Sequence, residues 1–129
     1  MASEPASASE WVARIQSGLP AASAFAFKDA LGLTNEQLAS VLGVSPRTLA
    51  RLAPAKARLD LVSGDRLVRS ARLFAIATDV LEESQAAAHW LKAPQRALGG
   101  ATPLELAQTD VGARAVESLL GRMEYGVYT

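Results

Sequence analysis

Apolar residues recur along this chain at spacings of three and four, the repeat of helices that each bury one face, and no stretch reads as a convincing strand. Ser7 and Glu10 form a capping-box pattern ahead of Trp11, Val12, Ile15 and Leu19, which predicts a first short helix ending near Gly18. Pro20 suits the first turn of a second helix, running through Phe27 to Leu31 and stopping at Gly32. Thr34 with Gln37 opens a third, ended by Gly43. Ser45 and Pro46 cap and start a fourth that finishes before Pro54. From Gly64 to about Glu83, Leu67, Ala71, Phe74 and Leu81 make one stripe, and Leu73, Ile76 and Val80 widen it into the arc of a central, largely buried helix. A shorter helix ends at Trp90-Leu91 before Pro94, and Leu98-Gly99-Gly100 reads as a turn. Thr102-Pro103-Leu104-Glu105 places a cap, a first-turn proline and a capping-box acid in register. The last helix starts near Asp110, carries Val116, Leu119, Leu120 and Met123, and meets a glycine cap at Gly126. Met1–Ala6 and Val127–Thr129 read as tails. The pattern predicts an all-α fold.

Composition agrees with this picture and narrows the chemistry. Half of the 129 residues are apolar and only 5% are aromatic, which favours helix and suffices for a core. The absence of cysteine excludes a disulfide framework, a thiolate zinc site and a thiol nucleophile, and the single His89 excludes a His-rich metal site. No apolar run approaches the ~18 residues of a membrane span and no signal-like segment opens the chain, so a cytoplasmic protein is expected. Net charge is zero, but unevenly so. Residues 47–72 carry seven basic side chains (Arg47, Arg51, Lys56, Arg58, Arg66, Arg69, Arg72) against two acidic ones, between flanks of −2 and −3. Such a block fits a polyanion partner at one face; it fits a solvated helix surface as well.

The sharpest local signal is Gln37-Leu38-Ala39-Ser40-Val41-Leu42-Gly43-Val44-Ser45-Pro46-Arg47-Thr48-Leu49-Ala50-Arg51. Two helices crossing steeply through a short turn need a small residue where they touch, supplied by Ala39, and a residue tolerant of positive φ, supplied by Gly43. Leu38, Leu42, Leu49 and Leu52 would bury the inner faces. The spacing resembles the helix-turn-helix of Xre/Cro-type repressors, whose second helix enters the DNA major groove. On that resemblance Ser45, Arg47, Thr48 and Arg51 are the candidate DNA-binding residues of the recognition helix, and Lys56 and Arg58 would meet the flanking phosphates.

The second half carries its own signature. Trp90-Leu91 with Pro94, Leu98-Gly99-Gly100-Ala101-Thr102-Pro103-Leu104-Glu105-Leu106, then Gly112, Val116, Leu119 and Arg122-Met123-Glu124-Tyr125-Gly126-Val127-Tyr128 resemble the toxin-binding domain of Xre/MbcA/ParS-type antitoxins. The resemblance runs from about Gln37 to the end, and departs from the family at Gln95, where asparagine is common. It implies an Xre/Cro-like helix-turn-helix bundle over residues 1–63, continuous with a helical toxin-binding and dimerisation domain over 64–129. It further implies a homodimeric type II antitoxin encoded beside a RES-domain toxin that consumes NAD, by degrading it or by transferring ADP-ribose. The family's C-terminal region covers the toxin's NAD pocket, and its N-terminal domain represses its own operon. The toxin-binding residues would be Arg122, Glu124, Tyr125, Gly126, Val127, Tyr128 and Thr129.

Arginine and tyrosine are common interface anchors, which suits that tail; the lesser alternative is that Tyr125 and Tyr128 fold back on the chain's own core. Gly112 and Gly121 inside the last helix mark either a close backbone approach or tolerated imperfections. Trp90 and His89 read as structural. No nucleophile elbow, phosphate loop, dinucleotide fingerprint or ligand set is present, so neither an enzyme nor a cofactor is expected. Glu82 and Glu83, being adjacent on a helix, would diverge rather than share a metal. Besides the antitoxin, two readings stay open: a dimeric helix-turn-helix repressor without a toxin partner, and a helical adaptor that no longer binds DNA.

Overall fold

The computed structural model describes residues 7–54 and 56–126. They form α1 (Ala8–Ser17), α2 (Ala21–Leu31), α3 (Asn35–Leu42), α4 (Pro46–Arg51), α5 (Leu61–Leu81), α6 (Ser84–Lys92), a 3-10 turn (Arg96–Leu98), α7 (Pro103–Leu106) and α8 (Asp110–Glu124). Strand pairing among the described residues is one isolated bridge between Pro20 and Arg58, so the fold is helical as expected. Short polar residues start the helices by accepting a first-turn amide: Ser7, Thr34, Ser45, Asp60, Thr102 and Thr109 do so, and Thr34–Gln37 and Thr102–Glu105 close full capping boxes.

α5 differs from the expected Gly64–Glu83 helix at both ends. Asp60 Oδ1 accepts the Ser63 amide at 2.8 Å, so the helix begins a turn earlier, at Leu61. At the far end Glu82 takes the left-handed conformation (φ 66°) and the Glu83 carboxylate caps α6 through the Ala86 amide. The acidic pair is therefore a helix-to-helix corner. The inward face of α5 is also rotated from the expected stripe: Ser63, Gly64, Leu67, Ser70, Leu73 and Ala77 are buried while Ala71 is exposed. Small side chains made the misreading, because a buried serine and an exposed alanine carry little hydropathy contrast.

This helix is the hub. It packs against α1 and α3 on one side of the sequence and α6 and α8 on the other. Leu38 and Leu42 from α3, Leu67 and Leu73 from α5, Leu91 from α6 and Val116 and Leu120 from α8 belong to one continuous core. Phe27 of α2 meets Phe74 of α5 edge to face, with centroids 6.4 Å apart. The division expected between residues 63 and 64 falls within α5, which crosses it unbroken. In the second half, Gly112 lies against the Leu106 carbonyl so closely that a β-carbon there would overlap it, whereas nothing lies within 4 Å of one built on Gly121. Trp90 packs half-buried against the core, and His89 is exposed on the last turn of α6. No helix of the described residues is long and apolar enough to cross a membrane.

Candidate functional site

α3 and α4 meet through the turn at Gly43, whose amide donates to the Ser40 carbonyl and whose φ of 75° turns the following Val44 N–H onto the Ala39 carbonyl at 3.0 Å. Ala39, 2% exposed, is the small contact residue, and Leu38, Leu42 and Leu49 are buried beneath the pair. This is the expected helix-turn-helix. Ser45 Oγ accepts the Thr48 amide and donates to Thr48 Oγ1, both at 3.1 Å. Ser45 is thus committed to the cap of α4, leaving the Thr48 hydroxyl proton to be donated outward. Arg47, Thr48 and Arg51 are exposed on α4, and Lys56 is exposed in the loop that follows.

The basic block divides into two groups once folded. Arg58 Nη1 donates to the Gly18 carbonyl at 2.7 Å, pinning the α1–α2 connection. Arg66 donates through Nε to Val41 and through Nη2 to Ser40, at 3.0 and 2.9 Å, and its guanidinium lies across Gly43. Arg69 reaches the Ala107 and Gln108 carbonyls and pairs with Asp65, and Arg72 pairs with Glu117. Four of the seven cations therefore have partners within the fold. Arg47, Arg51 and Lys56 have no hydrogen-bond or ion-pair partner among the described residues.

Sequence reading missed how the turn is braced from behind. The last carbonyls of a helix lack intrahelical partners. In α3 those of Ser40 and Val41 go to Arg66, and that of Leu42 accepts the buried Ser63 hydroxyl at 3.1 Å. Both donors stand on α5, more than twenty residues away, where no local pattern marks them.

At the other end of the chain, Tyr125 is 81% exposed just beyond α8, so it does not fold back on the core. Arg122, Glu124 and Gly126 are exposed beside it, and neither the Arg122 nor the Glu124 side chain has a hydrogen-bond or ion-pair partner among the described residues. Val127, Tyr128 and Thr129 lie outside the described residues. Gln95, the departure noted above, donates its side-chain amide to the Trp90 and Ala93 carbonyls and so closes the end of α6. Among the described residues no cluster of His, Asp or Glu is placed to hold a metal ion.

Comparison with known proteins matches the two ends of the chain separately. Residues 10–72 match the family described as the antitoxin Xre-like helix-turn-helix domain, and residues 77–126 match the antitoxin Xre/MbcA/ParS C-terminal toxin-binding domain. The chain belongs to the Xre/MbcA/ParS antitoxin family. Family relatives named Antitoxin Xre include one from Photorhabdus laumondii, 32% identical over 67% of this chain and 60% of its own length. Another, from Yersinia enterocolitica, is 31% identical over the same shares, and one from Pseudomonas putida is 34% identical over 62% of this chain and 50% of its own length. The matched region thus spans about three fifths of the first two curated relatives. Among solved structures, a chain from the crystal structure of the M. tuberculosis MbcT–MbcA toxin–antitoxin complex superposes with a TM-score of 0.61 at 25% identity, covering 86% of this chain and 98% of that one. The structural likeness spans both halves, as expected if family members share the α5-centred architecture and not merely a helix-turn-helix.

Proposed function

We propose that this chain is a type II antitoxin that binds and inhibits a RES-domain toxin and represses its own operon. The observation that carries the reading is the tandem match of both family domains on one continuous core, with Arg122, Glu124 and Tyr125 presented outward at the end of α8. Arg122, Glu124, Tyr125 and Gly126, with Val127, Tyr128 and Thr129 beyond them, would cover the toxin's NAD pocket. An exposed tyrosine desolvated at the centre of such a contact, with a neighbouring arginine, supplies the kind of anchor that dominates interface energy. The exposed face of α4 would enter the DNA major groove. Arg47 and Arg51 would read guanine O6 and N7 in bidentate fashion, Thr48 and Lys56 would hold phosphates, and Ser45 and Arg58 would support this face through the α4 cap and the Gly18 contact. A homodimer would present two such helices to a two-fold operator.

The test is NAD loss catalysed by the purified product of the neighbouring gene, alone and with this chain. The full chain is expected to suppress NAD loss. Truncation after Gly121, or the paired substitution Arg122→Ala and Tyr125→Ala in the intact chain, is expected to weaken inhibition by about thirtyfold or more. No protection of an active enzyme by the full chain would overturn the antitoxin reading. Protection undiminished in both variants would move the contact to the body of residues 73–121.

A further inference from the structure

Besides its core packing and the α5 ties to its end, α3 is joined to the connection between α7 and α8 by a side-chain hydrogen bond. Gln108, in the connection between α7 and α8, donates its side-chain amide to Ser40 Oγ at 2.7 Å, across 68 residues of sequence. We propose that Gln108 is a positioning residue for DNA binding, acting through Ser40 to set the rotation of α3 and hence the presentation of α4; this rests on the DNA-binding reading above.

The geometry separates this contact from the other ties on α3. Arg66 and Ser63 hold the carbonyls at the end of the helix, which point along its axis. Bonds to such groups fix where the helix ends and resist rotation about its axis only weakly. Ser40 Oγ stands off the axis, so a bond to it acts as a lever against rotation. The lever has a firm anchor. The Ala107 and Gln108 carbonyls accept from Arg69 at 2.9 and 3.2 Å, Ala107 is 1% exposed, and the preceding Leu106 carbonyl seats against Gly112 of α8. The turn Gly43-Val44 carries any rotation of α3 directly into α4, because both of its amides bond back to α3 carbonyls. Base contacts tolerate displacements of only about 0.5 Å, so a small rotation is felt at the DNA. Meanwhile the bond joins an exposed serine to a half-buried glutamine.

The experiment uses the full chain and a fluorescein-labelled duplex of the DNA immediately upstream of its own gene. Titrations of wild type, Ser40→Ala, Gln108→Ala and the double variant are compared, with far-UV circular dichroism confirming the helical fold of each. Both single variants are expected to raise Kd by about threefold to tenfold, and the double variant by no more than either alone. Gln108→Glu, whose carboxylate accepts from the Ser40 hydroxyl, is expected to recover affinity relative to Gln108→Ala at high salt. Amide exchange at Gly43 and Val44 should quicken in Gln108→Ala without DNA present, which a role confined to phosphate contact would not produce. Wild-type binding with Gln108→Ala unaltered overturns this inference alone, as does a loss confined to Ser40→Ala. No binding by the wild type overturns the DNA-binding reading with it.

Discussion

Gly112 and Gly121 occupy the same helix, and sequence treats them alike: each is a helix-interior glycine costing about 1 kcal/mol relative to alanine. The structure assigns them opposite consequences. A β-carbon at Gly112 would overlap the Leu106 carbonyl, a backbone group that cannot rotate away, so Gly112→Ala is expected to lower unfolding free energy by at least ~2 kcal/mol. Gly121 faces open space, and Gly121→Ala is expected to raise it by about 0.5–1 kcal/mol. Urea denaturation of the two variants reads both signs in one experiment. What stands opposite Gly112 is the end of α7, six residues before it, which no pattern around either glycine marks.

Most helix starts were legible, because a cap is made by residues three apart in sequence: Thr34–Gln37 and Thr102–Glu105 close as their spacing requires, and the ends of α5 are the exception. What α5 does for α3 was not legible. Arg66 and Ser63 complete the end of another helix, and Arg66 also sets a positive charge at its negative pole. Arg66→Met, which keeps much of the apolar stem, is therefore expected to cost about 1–3 kcal/mol in urea denaturation. Arg72→Met removes a pair in which the arginine side chain is 68% exposed, and is expected to cost less than about 1 kcal/mol. Equal costs would mean that Arg66 acts as an ordinary surface charge and that the turn does not depend on its brace.

For the molecule as a whole, the basic block is where folding changes the meaning of composition most. Seven cations within residues 47–72 invite a polyanion, yet Arg58, Arg66, Arg69 and Arg72 are bound within the fold. If Arg47, Arg51 and Lys56 supply the phosphate-facing charge, the logarithm of operator affinity should fall against the logarithm of salt with a slope of about −2.7 per chain, rather than about −6 for all seven. A titration series in salt distinguishes the two. The sequence by itself determined the helical class, the caps that bound most elements, the helix-turn-helix from Gln37 to Arg51 and the family of the C-terminal half, since all of these rest on residues close together in the chain. Only the tertiary structure decided which cations are spent on carbonyls, which face of α5 is buried, that Tyr125 points to solvent, and that Gln108 reaches Ser40. Those outcomes depend on groups brought together across 20 to 70 residues by burial of a shared core, and a hydrogen bond between such partners leaves no periodicity in the sequence to read.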